Sequence, residues 1–176
     1  ARLLPDDATE ALVKAHVKRL RGAGAMHVTS AAGTDLRISL QGAAVGGNWG
    51  STTRPGTLTH WPGGIALAFP AAGSVNGTLV LAEGDVNLTF KRYIERPITL
   101  TIENDFITGI DGSGVDAELM RSYIAAWSDQ AAYAVSHVGY GLNAAARWDS
   151  MALYDKRDFN GTELRAFAGN FLYSTG

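Results

Sequence analysis

Chemistry in this chain has to come from a short list of side chains. There are four histidines and no cysteine, so disulfides, thiolate metal sites, iron–sulfur clusters and a thiol nucleophile are all excluded, and any metal must sit on histidine and carboxylate. The stretch with the most chemical promise runs from Tyr133 to Asp149. Its apolar start reads as a buried strand that delivers His137 to its end, where Gly139 and Gly141 are expected to turn the backbone tightly beside it. On spacing alone, His137 is either a hydrogen-bonded histidine at the edge of the core or a metal ligand.

His60 is the second histidine of interest. It sits beside Trp61 in a Gly/Pro-rich segment that would carry it over a pocket, and a plain surface-loop histidine is the competing reading. His16, on a predicted helix, and His27, in a predicted strand, have no second ligand-type residue at metal-site spacing and are read as structural. Asp149, Asp155, Asp158 and Glu163 cluster in sequence after His137. Carboxylates in such a charged turn are usually solvated, although a glycosidase-like pair is chemically conceivable.

A nucleophile elbow, a phosphate loop and a His-Glu-x-x-His zinc helix are absent. A mononuclear iron site needs two histidines and one carboxylate on one face of the metal, and no His-x-Asp or His-x-His accompanies His137. Either His60 and an acidic residue complete such a set, or its remaining members lie beyond Gly176. Gly139-Tyr140-Gly141-Leu142-Asn143-Ala144 formally fits a loose dinucleotide fingerprint, but the preceding elements read as hairpins and not as a βαβ unit.

The elements that must position these residues can be read from periodicity. Pro5-Asp6-Asp7 starts a helix in which Val13, Val17 and Leu20 recur at helical spacing until Gly22 and Gly24 end it. Residues 26–30 and 36–40 read as a β-hairpin with one buried face, and residues 41–64 as a long loop. Strands are expected over 65–69, 78–82, 98–103 and 106–110. A helix is expected over 115–127, with Leu119, Met120, Tyr123, Ile124 and Trp127 as its core stripe, and a further strand over 162–170. The pattern predicts an α+β fold of mostly antiparallel sheet with a few packing helices.

The 176 residues, 46% hydrophobic and 18% charged, describe a folded soluble domain, and the net charge of −2 points to neither nucleic acid nor an anionic membrane as partner. No run approaches a membrane span and no secretory segment opens the chain, so a cytoplasmic location is expected. The first residue is not Met, and the last stretch, Phe171 to Gly176, stops in apolar sequence. A piece of a longer subunit is therefore expected.

Four stretches taken together carry a resemblance: Asn76 to Phe90, Ile98 to Ile110, Ser136 to Asp149, and Asn160-Gly161-Thr162-Glu163-Leu164-Arg165-Ala166-Phe167-Ala168-Gly169-Asn170-Phe171. They resemble the 2,5-dihydroxypyridine 5,6-dioxygenases of nicotinate degradation, which are distant relatives of the M29-type leucyl aminopeptidases. The likeness covers most of residues 70–176. It implies a fold like the C-terminal domain of the M29 aminopeptidases, with residues 1–24 as helix and linker from a preceding α/β domain and 25–176 as a catalytic-type domain cut short at its C-terminus. It further implies a mononuclear Fe(2+) bound by two His and one Asp, which opens the pyridine ring between carbons 5 and 6 with both atoms of dioxygen incorporated, giving N-formylmaleamate. His137 would be the first iron ligand, and the other two would belong to a Gly-His-Phe-Asp-type segment after Gly176. His60 and Ser174 look similar in placement to family residues that contact the ring oxygens or assist proton transfer. Family members are homo-oligomers, so a homo-oligomer is expected here. The peptidase relatives carry an acidic metal ligand where this chain has His137, which favours redox iron over a hydrolytic metal pair. The rival readings are an M29-like metal-dependent aminopeptidase and an inactive fragment that serves as a structural module.

Overall fold

A computed structural model describes residues 2–175, so Ala1 and Gly176 lie outside the described residues. The chain divides into two units, one of residues 1–23, 44–69 and 138–173, the other of residues 24–43, 70–137 and 174–176. The architecture is α+β with mostly antiparallel sheets.

The first unit is built around helix α1 (Asp7–Gly22). Asp6 caps it by accepting the Thr9 amide at 2.7 Å, Asp7 and Glu10 sit in the first turn, and Arg19 and Arg21 in the last, as the helix dipole favours. Its buried stripe is Val13, Val17 and Leu20, as the spacing predicts, and it packs on strands β3 (Ala44–Asn48) and β4 (Ile65–Phe69).

Strand β3 lies inside the segment that the sequence reads as loop. The reason is the helix above it: a Cβ at Gly47 would lie 2.6 Å from Val13 Cγ1 and 2.7 Å from Val17 Cγ2. Position 47 takes a glycine because the valines of α1 occupy the space a side chain would need, and the Gly46-Gly47 pair removes the alternation by which a strand is recognised.

The four-stranded sheet continues through β10 (Val135–Gly141) and β11 (Phe171–Thr175) in the order β11-β10-β4-β3, with β10 and β3 both antiparallel to β4; residues 135–137 of β10 and 174–175 of β11 are grouped with the second unit. Two expectations need correction here. Gly139 and Gly141 do not turn the chain; β10 runs through both. A Cβ on Gly139 would meet Leu67 Cδ2 at 2.7 Å, and one on Gly141 would overlap the Phe167 carbonyl, so these glycines permit close backbone approach. No helix follows them directly, which removes the dinucleotide fingerprint; the next helix, α3, is a single turn at Ser150–Leu153. Residues 162–170 are not a strand either. Asn160 Oδ1 accepts the Thr162 amide at 2.9 Å, Gly161 sits at φ 76°, and helix α4 (Thr162–Ala166) follows before β11 begins.

The second unit holds a five-stranded antiparallel sheet in the order β1-β2-β5-β8-β9, made of Ala25–Thr29, Asp35–Ser39, Val75–Leu81, Ile98–Glu103 and Phe106–Gly112. The predicted first hairpin is present, with Met26 opposite Ile38 and Val28 opposite Leu36. Leu36, Ile38, Val75, Ile98, Leu100 and Ile102 are all buried and form the sheet's core face. A two-residue pairing of β6 (Val86–Asn87) with β7 (Arg92–Tyr93) stands beside it.

Helix α2 (Val115–Ala126) packs against β9, but on a different stripe from the one expected. Asp116, Ala117 and Ile124 are buried, whereas Tyr123 and Trp127 are exposed and stack edge-to-face with each other, and Tyr123 also with Phe90. The buried Asp116 shows why hydrophobic spacing misjudged this face. It accepts from Arg92 Nε at 2.8 Å and from the Glu95 amide at 3.1 Å, so a satisfied carboxylate takes an inward position that the pattern reserves for an apolar residue.

Candidate functional site

His137 is the third residue of β10, not its last, and it is half-buried. The preceding residue contributes directly, since Ser136 Oγ lies 3.2 Å from His137 Nδ1. Val138, the next residue, is completely buried. Ser174 is half-buried on β11, the neighbour of β10 in the four-stranded sheet, and its hydroxyl donates to the Thr175 carbonyl at 3.3 Å. The structure thus sets His137 and Ser174 on adjacent strands.

His60 belongs to the first unit, in the loop between β3 and β4, where it is exposed. It makes no hydrogen bond among the described residues, yet its neighbours are firmly held. Thr59 Oγ1 donates to Asn48 Oδ1 at 2.7 Å, and Trp61 Nε1 donates to the Leu3 carbonyl at 2.9 Å. Further along, the Gly64 amide donates to the Asn48 carbonyl at 2.8 Å, and Asn143 Nδ2 donates to the Gly63 carbonyl at 2.9 Å. These anchors, Asn48, Thr59 and Asn143, were not singled out from sequence. The one local signal was Asn48 two residues before a glycine, the signature of a side chain that caps its own turn, and its oxygen does accept the Gly50 amide at 2.9 Å.

The other titratable side chains are engaged structurally. His16 Nδ1 lies 3.1 Å from the Tyr140 hydroxyl, whose pKa is pushed up by burial against a smaller opposing pull from Arg19. His27 Nε2 lies 2.7 Å from Asp35 Oδ1, and this bond holds the Asp35 carboxyl below its usual range. Three members of the acidic cluster after His137 are engaged by arginine side chains or amides. Asp149 accepts from Arg147 Nε at 2.8 Å and is held below its usual pKa mainly by that hydrogen bond. Asp155 accepts the Arg157 amide at 2.9 Å and meets its guanidinium at 3.1 Å. Glu163, buried, accepts from Arg2 Nη1 at 2.6 Å and from the Arg147 amide at 2.8 Å.

A metal centre requires several donors converging, and among the described residues no group of three His, Cys, Asp or Glu side chains could hold one ion. The described residues alone therefore do not make an iron site; His137 offers a single imidazole. No helix among them is long and apolar enough to cross a membrane.

Comparison with known proteins identifies the scaffold. A family profile of 2,5-dihydroxypyridine 5,6-dioxygenases matches residues 1–176. A curated relative from Pseudomonas putida KT2440, named 2,5-dihydroxypyridine 5,6-dioxygenase, is 42% identical over 176 residues, which is 100% of this chain and 50% of the relative. The solved structure of 2,5-dihydroxypyridine dioxygenase from the same organism superposes with a TM-score of 0.95 at 42% identity, covering 99% of this chain and 50% of that one. AmpT from Thermus thermophilus, at 17% identity, shares the fold with a TM-score of 0.63 over 98% of this chain and 42% of its own. The chain spans about half the length of the curated relative it matches. On the full-length profile match and this identity, the chain belongs to the 2,5-dihydroxypyridine 5,6-dioxygenase family.

Proposed function

We propose that this chain is part of an iron(II)-dependent ring-cleaving dioxygenase of nicotinate degradation. The complete protein opens 2,5-dihydroxypyridine between carbons 5 and 6, and both atoms of one dioxygen enter the product, N-formylmaleamate. The observation that carries the reading is 42% identity sustained over the whole chain, together with a TM-score of 0.95 to the solved dioxygenase.

In this reading residues 25–176 form part of the catalytic domain, residues 1–24 lead in from a preceding α/β domain, and the protein works in the cytoplasm as a homo-oligomer. His137 supplies one of three ligands to the iron, and the other two come from outside residues 1–176. Bound there, the iron supplies a redox centre for dioxygen and the ring. This chain's own residues then act on the substrate: His60 moves a proton at the ring hydroxyl, and Ser174 donates a hydrogen bond that orients a ring oxygen. Support for His60 as the proton carrier is its exposed imidazole, which has no partner among the described residues, between two anchored neighbours.

The test is oxygen uptake by the full-length, anaerobically iron(II)-loaded protein on addition of 2,5-dihydroxypyridine, followed beside loss of the ring's ultraviolet absorbance. One dioxygen consumed per ring lost is the expected result. No uptake by the loaded, full-length protein, with cleavage of a leucine anilide instead, would replace the reading with a hydrolytic one.

A further inference from the structure

An exposed imidazole in a loop containing Gly50, Pro55, Gly56, Pro62, Gly63 and Gly64 would ordinarily sample many positions, and a proton carrier cannot afford that freedom. The loop is held, however, and the holding converges on one side chain. Asn48, the last residue of β3, accepts from the Gly50 amide at 2.9 Å and from Thr59 Oγ1 at 2.7 Å on the same Oδ1. Its backbone carbonyl takes the Gly64 amide at 2.8 Å. One residue therefore ties the exit of the loop, the position immediately before His60, and the return into β4.

The orientation of the Asn48 amide is not arbitrary. Gly50 N–H can only donate, so the side-chain oxygen must face it, and the amide nitrogen is left buried without a hydrogen-bond partner. A buried orphan donor is a local cost, and the residue bears it in the orientation that its oxygen's two donors require. On the other side of His60, Trp61 is pinned to the Leu3 carbonyl. With both neighbours fixed and successive Cα atoms about 3.8 Å apart, the His60 backbone has little room to move. Its side-chain torsions carry most of the freedom that remains.

The geometry points to Asn48 and Thr59 as positioning residues for His60: the Asn48–Thr59 hydrogen bond holds the loop so that the imidazole meets the bound ring in one orientation. This rests on His60 being the proton carrier of the proposed reaction. Neither residue touches the substrate; both act through His60.

The test uses the full-length, iron-loaded protein and the variants Thr59→Val, which keeps the shape and removes the hydroxyl, Thr59→Ser, which restores the hydroxyl, and Asn48→Ala. Thr59→Val is expected to lower kcat roughly tenfold to a hundredfold, as small misplacements of reacting groups do, with KM and iron content little changed. Thr59→Ser should recover most of the loss. In a His60→Ala background Thr59→Val should add no further loss, and the pH profile of kcat/KM should lose the same limb in Thr59→Val as in His60→Ala. Amide exchange at Gly50 should accelerate in Asn48→Ala, a readout independent of turnover. A Thr59→Val enzyme with wild-type kcat, or one whose loss is equally large with and without His60, would overturn the positioning role while leaving the function intact. A wild-type protein that consumes no 2,5-dihydroxypyridine would instead overturn the function, and this role with it.

Discussion

The neighbouring glycines of β3 offer a controlled test of how α1 is seated. Gly46 and Gly47 point to opposite faces of the strand, and nothing lies within 4 Å of a Cβ built on Gly46, whereas one on Gly47 meets Val13 Cγ1 at 2.6 Å and Val17 Cγ2 at 2.7 Å. Ordinary contact begins at 3.4 Å, so the two methyls must each retreat by 0.7–0.8 Å (3.4 less 2.7 or 2.6). They cannot do so by rotation, because a β-branched side chain in a helix has essentially one χ1 rotamer and Val13 is wholly buried. The helix itself must move. Overpacking of this kind costs about 1–3 kcal/mol, while Gly46→Ala, free of contacts, should be neutral or stabilising by up to about 1 kcal/mol through loss of unfolded-state entropy. The two alanine variants are thus expected to differ by about 1–4 kcal/mol. Urea unfolding followed by tryptophan fluorescence reads this, with Trp49 among the reporters, since Lys14 of α1 stands 5.3 Å from the centre of that ring. Val13→Ala should partly rescue Gly47→Ala, giving a double mutant less destabilised than the sum. Equal stabilities for the two alanine variants, or strict additivity with Val13→Ala, would refute the seating of α1 on Gly47.

Two further outcomes follow from the site and from electrostatics. In the full-length protein, His137→Ala should lose iron on gel filtration, whereas His60→Ala should keep it and lower turnover by about 10²–10⁴-fold; stoichiometric iron in the His137 variant, measured by metal analysis, would remove it from the ligand set. Burial raises the Asp116 pKa, but the bonds from Arg92 and the Glu95 amide outweigh that and hold the carboxyl below its ordinary value. A carboxyl depressed on folding contributes stability above its unfolded pKa of about 3.9 and loses it as pH falls through the lower folded value. Asp116→Asn should therefore cost about 1–2 kcal/mol at pH 7 and flatten the decline of stability below about pH 4, as read by urea midpoints; an unchanged acid limb would refute the role of this carboxyl.

Which parts of the fold were legible depended on whether a residue's neighbours in space resembled its neighbours in sequence. Helix α1 was readable because Asp6 and Asp7 at its start and Val13, Val17 and Leu20 along it act within a few turns of one another. The β1–β2 hairpin was readable because Leu36 and Ile38 alternate with polar residues on a single buried face. Strand β3 was not, because Gly47 answers to valines some thirty residues earlier. The inward face of α2 was not, because Asp116 owes its burial to Arg92. Residues 162–170 were misread because the asparagine and glycine ahead of them, which cap a helix, also suit a strand's preceding turn. At the candidate site, composition restricted the donors to histidine and carboxylate, and the family resemblance singled out His137, His60 and Ser174. The anchors of the His60 loop were invisible, since Asn48 and Thr59 are eleven residues apart and meet only once β3 exists.

The glycine-rich segments around the two candidate histidines do partly different physical work, and that difference bears on the roles proposed. In β10 the glycines tighten the structure: Gly139 lets the strand approach Ala66 and Leu67, and Gly141 lets it approach the backbone at Ala166 and Phe167. A strand so closely packed has few alternative positions, and a donor carried on a rigid strand is held more precisely than one on a loop, which is what a metal ligand requires. In the 49–64 loop, Gly50 and Gly64 take positive φ values, 85° and 110°, that let the chain leave β3 and come back to β4. The two ends of the loop are also packed closely, Gly63 on Trp49 and Gly64 on Asn143, but the position next to His60 is tied by the bond between Thr59 and Asn48. A proton carrier can be held through such side-chain bonds, with its imidazole torsions left free to reach the substrate, whereas a ligand that moved would release its metal. The two histidines should therefore respond differently to mild denaturant: His60-dependent turnover should fail at urea concentrations at which iron is still bound, and turnover that persists undiminished up to the concentration at which iron is lost would contradict the assignment of His137 to a rigid strand and of His60 to a loop held by hydrogen bonds.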